Sequence, residues 1–215
     1  MWEELLNFIF PERCIGCEKS GSALCAICER TITVKAVALS GTSAALFDYK
    51  NPLVKKAVWA LKYKHRRSIG KYFGTALYRE FFKQLSYGTK KTGESIILIP
   101  VPGSQKARRM RGYNHAGVIA ATIAELGQDE GLTITLRDDI LYKRKEVSQQ
   151  AHTRGKDERK KNVESIFAVR HGEEIYEKTV ILIDDVITTG ATVAEAKRAL
   201  KACKPKRVLA IAVAH

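Results

Sequence analysis

The sequence predicts an α/β protein: a mostly parallel sheet covered by helices on both faces, with a small cysteine-rich module ahead of it. Three observations lead there. Short, continuously apolar runs alternate with segments of helical periodicity, the pattern of buried parallel strands joined by crossover helices. A chain of 215 residues is long enough for one main domain with a real core and a small appendage. Near the amino terminus, two Cys-x-x-Cys pairs stand in a segment too short to bury enough surface to fold unaided.

Taken in order, Trp2, Leu5, Leu6, Ile9 and Phe10 recur at helical spacing and predict a short amphipathic helix packed on the protein itself, with a peripheral membrane or partner contact as the alternative. Cys14, Cys17, Cys25 and Cys28 follow, with seven residues between the pairs, the compact spacing of a structural zinc site. Four ligands close such a site, and the metal supplies the folding energy. Two disulfides are the rival reading, disfavoured in a reducing compartment. Gly16 and Gly21 are expected where the chain reverses. Residues 1–35 thus form one unit, and residues 45–215 the main domain.

In the main domain, residues 45–49 read as a strand. Pro52 then opens a helix whose apolar face is Leu53, Val54, Ala57, Val58 and Leu61. A second amphipathic helix is expected over 69–85, a polar loop over 88–94 and a buried strand over 95–101. A helix over 114–126 follows, with Asn114 as its N-cap. Weaker strands fall at 132–135, 140–142 and 165–169. A strong one at 179–183, a helix at 192–202 and a last strand at 207–213 finish the chain. Cys203 reads as a buried apolar residue in that last helix.

Composition narrows the function. No apolar run approaches the roughly 20 residues that span a bilayer. The start, MWEELLNFIFPERC, has neither the basic beginning nor the long apolar run of a secretory signal, so a cytoplasmic location is expected. The net charge of +14 points to an anionic partner. It is concentrated in three runs, at 55–71, 105–111 and 143–161, the first with seven Lys and Arg and no acid. That first run is expected to face outward, toward nucleic acid or another partner.

The sharpest motif is VILIDDVITTGATV, residues 180–193. A buried strand ends in Asp184 and Asp185, and a loop carrying Thr188, Thr189, Gly190, Ala191 and Thr192 leads into a helix. Backbone amides at a helix start make an anion nest, and a glycine there lets a phosphate come close. Adjacent carboxylates at a strand's end point to opposite sides and are costly unless hydroxyls or a cation meet them. Ribose hydroxyls with Mg²⁺ would do so. A Walker B strand is the rival, but the chain has no G-x-x-x-x-G-K-[ST] upstream.

This segment resembles the 5-phosphoribosyl-1-pyrophosphate (PRPP) motif of type I phosphoribosyltransferases. The wider pattern resembles the ComF family of competence-associated proteins: CIGC and CAIC, FDYKNPLVKKAVWALKYKHR, ILIPVPGSQKARRMRGYNHAGVIA, SQQAHTRGKDERKKNVESIF and IDDVITTGAT, in that order over nearly the whole chain. The union of RGYNHA with two Cys-x-x-Cys knuckles is what makes the match specific. The resemblance implies a type I phosphoribosyltransferase-like sheet and a pyrophosphate loop at Val101, Pro102, Gly103 and Ser104. Arg108, Arg109 and Arg111 would neutralise the pyrophosphate. It also implies a flexible loop over 143–161 that closes over PRPP, carrying Arg144, Gln149 or Gln150, Arg159 and Asn162. Asp184 and Asp185 are then the catalytic pair, holding ribose with Mg²⁺. His115 is a weaker candidate base. The implied function is transfer of phosphoribose from PRPP to an unidentified acceptor, whose hood, expected around 45–71, has no base-recognition pattern. The alternative is a non-catalytic protein of the DNA-uptake machinery that binds single-stranded DNA or a partner protein and retains a PRPP pocket.

Overall fold

The computed structural model describes residues 11–83, 94–103, 112–144 and 166–215. The amphipathic stripe from Trp2 to Phe10 lies outside them. Six strands form the main sheet in the order β1-β2-β8-β7-β3-β4: β1 Val37–Ser40, β2 Ser43–Phe47, β3 Ile96–Pro100, β4 Ile134–Leu136, β7 Thr179–Val186 and β8 Arg207–Ala214. All neighbours are parallel except β1, which pairs antiparallel with β2 at one edge. A separate antiparallel pair, β5 Leu141–Lys143 and β6 Phe167–Val169, brackets the segment between residues 144 and 166.

Among the described residues five α-helices accompany the strands: α1 Ala26–Glu29, α2 Pro52–Tyr63, α3 Arg67–Leu77, α4 His115–Asp129 and α5 Ala191–Lys201. None of the described helices is long and apolar enough to cross a membrane. Asn51 caps α2 by accepting the amides of Leu53 and Val54, and Pro52 occupies the first turn, where no amide partner is needed. The expected second helix begins at Arg67 and passes from α3 into a π-helical turn at Tyr78–Phe82, and residues 84–85 of the expected span lie outside the described residues. Gly70 and Gly74 let α3 lie directly on α4. A Cβ on Gly74 would stand 2.6 Å from Thr122 Cβ and 2.8 Å from the Ile119 carbonyl.

Two apolar layers flank the sheet. On one face α2, α3 and α4 pack over Leu98, Ile181, Ile183 and Ile211. On the other, Val193, Ala196 and Leu200 of α5 pack over Ile99, Leu182 and Ala210, with Leu141 and Phe167 beside them. Side chains alternate across each strand, so odd and even residues of β7 feed different layers. Strand β7 does not stop at Ile183 as expected. Its pairing with β8 runs on through Asp184↔Ala212 to Val186↔Ala214, so both acids sit within a paired strand. Strand β1, short and rich in small residues, gave no periodic signal at all.

The cysteine module leans on the main core. Ile15, Ala23, Leu24 and Ile32 join the layer under α2. Arg66 Nη2 donates to the Arg13 carbonyl at 2.5 Å and pairs with Glu12 at 3.2 Å, and Ser68 also bonds Glu12. The two glycines differ in purpose. Gly21 has φ +124, a conformation that favours glycine, whereas Gly16 is needed for space: its Cβ would meet Cys28 Sγ at 2.6 Å.

Candidate functional site

Helix α4 leaves β3 toward one face and α5 leaves β7 toward the other, so a crevice opens at the carboxyl ends of these two neighbouring strands. Open α/β sheets bind ligands at such switch points. Every described candidate residue of the main domain except Arg144 lies at this end. The turn after β3 is tied across it, since Val101 N donates to the Ile183 carbonyl at 2.8 Å. Val101, Pro102 and Gly103 are therefore beside the acids. Ser104, Arg108, Arg109 and Arg111 lie outside the described residues.

The Tyr113-Asn114-His115 stretch fastens three elements to this edge. Tyr113 Oη donates to the Leu61 carbonyl of α2 at 2.7 Å, and the Arg67 guanidinium sits 4.7 Å over its ring. Asn114 stands at the N-cap position, but its side chain does not cap the helix. Its Nδ2 donates instead to the Val101 carbonyl at 3.1 Å, holding the turn to α4. The buried His115 places Nδ1 3.7 Å from Asp185 Oδ2, with its ring edge-on to Tyr113.

Strand alternation sends Asp185 to the α2 and α4 side and Asp184 to the other. Asp185 is buried and paired with Lys62 Nζ at 2.7 Å. That lysine was expected to face outward with its basic run. It lies four residues beyond Val58 on the buried side of α2, a spacing that could have flagged it. The rest of the run fits the expectation better, since Lys55, Lys56, Lys64, Arg67 and Lys71 are exposed. Among the described residues Asp184 has no such partner. Its Oδ1 accepts the Asp185 amide at 2.8 Å. Burial, reinforced by the adjacent Asp185 charge, pushes its pKa up to about 7, and that amide with Lys62 and Lys143 offsets only part of the effect.

Beyond the acids, Thr188 and Thr189 are exposed, and Gly190, at φ +76, caps the start of α5. Thr189 Oγ1 accepts the Ala191 amide at 3.4 Å. The exposed Ala191 and Thr192 begin the helix, so backbone amides and hydroxyls gather at its positive end. A cavity of about 400 Å³ adjoins this loop, walled by Thr188, Gly190, Val193 and Lys197. Lys197 Nζ donates to the Thr42 carbonyl at 2.7 Å and to the hydroxyls of Thr42 and Ser43 at 2.8 Å each, pinning the β1–β2 turn to α5. Arg144 lies at the base of the β5–β6 pair, its amide donating to the Ile166 carbonyl at 3.0 Å. Gln149, Gln150, Arg159 and Asn162 fall outside the described residues.

In the amino-terminal module, the sulfurs of Cys14, Cys17, Cys25 and Cys28 all lie within 4.8 Å of one another. A tetrahedral zinc with Zn–S bonds near 2.3 Å would space its sulfurs by about 3.8 Å. Cys14 Sγ also accepts amides from Gly16 and Cys25, at 3.4 and 3.3 Å, bonds suited to a thiolate. The cluster could hold a metal ion such as zinc. Cys203 differs from expectation: it lies just past α5, half-buried, against Gly172.

Residues 110–215 match the family model of the phosphoribosyl transferase domain. The carboxyl-terminal half of the chain is phosphoribosyltransferase-like. No curated protein matches the chain. Among solved structures, HGPRT-ase from Leishmania tarentolae in complex with GMP is similar at 12% identity and TM-score 0.41, over 68% of this chain and 65% of that one. Glutamine phosphoribosylpyrophosphate amidotransferase from B. subtilis, complexed with ADP and GMP, is similar at 16% identity and TM-score 0.42, over 72% of this chain and 30% of that one. The chain thus spans less than two thirds of either protein, and the family match alone carries the assignment.

The state of Asp184 has a consequence for stability. Its pKa rises on folding from 3.8 to about 7, so the folded state holds its proton more tightly and stability is lost as pH rises across that window. Asp184→Asn should therefore stabilise the ligand-free protein at pH 8, by on the order of 1–4 kcal/mol, and hardly at all near pH 3. Thermal unfolding at the two pH values checks this. A variant less stable than the parent at pH 8 would contradict the assignment.

Proposed function

We propose that this chain binds PRPP in the switch-point crevice and transfers its phosphoribosyl group to an acceptor, with release of pyrophosphate. The observation that carries the reading is the placement of Asp184 and Asp185 on a paired strand, two residues before a threonine-rich loop at the start of α5. In this reading the exposed Thr188, Thr189 and Thr192, with the amides of Gly190 and Ala191, receive the 5-phosphate. Asp184 and Asp185 face the ribose hydroxyls, with Asp185 held in place by Lys62 and His115. Val101, Pro102, Gly103 and Ser104 border the pyrophosphate, and Arg108, Arg109 and Arg111 offset its charge. Bound Mg²⁺ would add cationic stabilisation of the leaving pyrophosphate. Arg144, Gln149, Gln150, Arg159 and Asn162 would close over the ligand and exclude water.

The motifs that resemble the ComF family extend the proposal to a cytoplasmic protein linked to natural competence, with structural zinc on Cys14, Cys17, Cys25 and Cys28. The domain division follows the same line, with residues 1–35 as the zinc-binding module and 45–215 as the phosphoribosyltransferase-like domain.

Calorimetric titration with PRPP and Mg²⁺ tests the site. Asp184→Asn with Asp185→Asn should weaken binding by about a hundredfold or more, with circular dichroism checking the fold. Should that pair unfold, Asp184→Asn alone carries the comparison, and undiminished affinity in a folded variant removes the assignment. For the cysteines, protein purified without chelator should hold about one zinc per chain, and a content near zero refutes that reading.

A second reading, single-stranded DNA binding with a PRPP pocket retained, has one observation in its favour. Trp59 and Tyr63 stand 50% and 56% exposed on α2 with ring centroids 5.5 Å apart, and Lys64 lies 5.3 Å over the indole. Exposed aromatics beside lysines suit stacked bases and phosphates. Binding of a labelled oligonucleotide should then fall steeply with salt and weaken in Trp59→Ala. Affinity indifferent to both would discard it.

A further inference from the structure

We propose that the cavity beside the threonine loop holds a further group attached to the 5-phosphate, so that the site also takes a ribose 5-phosphate bridged to a nucleoside, a ligand of the dinucleotide type. The inference rests on the phosphoribose reading of the loop. A terminal phosphate is satisfied by the loop's amides and hydroxyls and needs no space beyond them. Here Thr188, Thr189 and Gly190 are themselves walls of a cavity of about 400 Å³, a size ordinary for small-ligand sites and far more than one phosphate fills.

The course of the cavity follows from helix and sheet geometry. Gly190, Val193, Ala194 and Lys197 line it, at the spacing that places residues on one face of a helix. It therefore runs from the loop along α5 for about two turns, roughly 10 Å. The facing wall is the β1–β2 hairpin, through Leu39, Thr42 and Ser43. Ser43 is in register with Ala210 and, through it, with Leu182, two residues short of Asp184 along β7. A group lying in the cavity thus leads back along the sheet, away from the two acids. A substituent on the 5-phosphate takes that direction, whereas a group on the anomeric carbon does not.

The far end of the cavity sets the chemistry of that substituent. The Lys197 ammonium can only donate, and it is bonded to the Thr42 carbonyl at 2.7 Å and to the hydroxyls of Thr42 and Ser43 at 2.8 Å each. Both hydroxyls accept from it and keep their own protons for another acceptor. Leu39, Ile187 and Val193 supply apolar surface between these hydroxyls and the loop. A neutral ring with nitrogen or oxygen acceptors on its edge matches such a wall, since its faces meet the apolar side chains and its edge takes the hydroxyl protons. Net charge plays no part in this match. The bridging phosphates stay at the amino end of α5, where amides and the helix dipole favour them.

The test is competition against PRPP and Mg²⁺ on the 215-residue chain, read by calorimetry, with ribose 5-phosphate, AMP and ADP-ribose as competitors. Each presents a ribose 5-phosphate to the loop. AMP adds a base at the anomeric carbon, and only ADP-ribose carries a further sugar beyond the phosphate. ADP-ribose should bind about tenfold or more tightly than either of the others. In Ala194→Trp, which fills the cavity from an exposed position on α5, that advantage should vanish, while ribose 5-phosphate, AMP and PRPP stay within about threefold. Thr42→Val removes one of the two hydroxyls and should weaken ADP-ribose alone, by about threefold or more. ADP-ribose no tighter than AMP, or an advantage that survives Ala194→Trp, overturns the proposal. So does a dimer that Ala194→Trp dissociates, which would give the cavity to a second copy of the chain. Failure of PRPP and ribose 5-phosphate alike to bind is a separate result, which removes the loop reading and this inference with it.

Discussion

Two adjacent carboxylates at the end of a buried strand are the constraint around which this molecule is arranged. The strand's pleat forces them to opposite faces, so no single cation can serve both well. Asp185 is compensated from within, by Lys62 at 2.7 Å and by His115 nearby. Asp184 is left beside that charge with little to offset it, and its proton is correspondingly hard to remove. A protein keeps such an arrangement at a cost to its ligand-free stability, and under the proposed function relief by ribose hydroxyls and a cation would give that cost a purpose.

Holding Asp185 in place requires more than Lys62. Helix α2 must present that lysine at the right depth, and three contacts fix the helix there. Tyr113 reaches the Leu61 carbonyl from the start of α4, Asn51 caps the other end, and the cysteine module braces Arg66 just past the carboxyl end. The metal-type cluster is therefore mechanically continuous with the crevice. Breaking a buried ion pair by removing one partner costs about 3–5 kcal/mol. Loosening of α2 would be felt at Asp185 before it was felt in the sheet.

Much of this was legible in the sequence, for identifiable reasons. Apolar runs such as IILIP and VILI could only be buried strands, and the alternation with helices implied a parallel sheet. Thr-Thr-Gly-Ala-Thr after two acids marked the crevice, and the four cysteines do converge. What escaped the reading were contacts between distant segments. Asn114 was legible as an N-cap by type and position, yet its amide serves the Val101 carbonyl, a partner only the fold supplies. Lys62 was hidden by its neighbours, since a basic run reads as solvated surface even when one member turns inward. The extension of β7 through Asp184 depended on β8, whose small residues accept a paired strand alongside. The close seating of α3 on α4 needed Gly70 and Gly74 to be seen against Val118 and Thr122.

The account stands on Asp184 being the unsatisfied acid of the pair until ligand arrives. Carboxyl ¹³C chemical shifts of Asp184, followed against pH with and without PRPP and Mg²⁺, measure that directly. The predicted result is a midpoint near 7 in the ligand-free protein that moves well down when both are added. A midpoint in the ordinary aspartate range that ignores PRPP and Mg²⁺ would contradict the account.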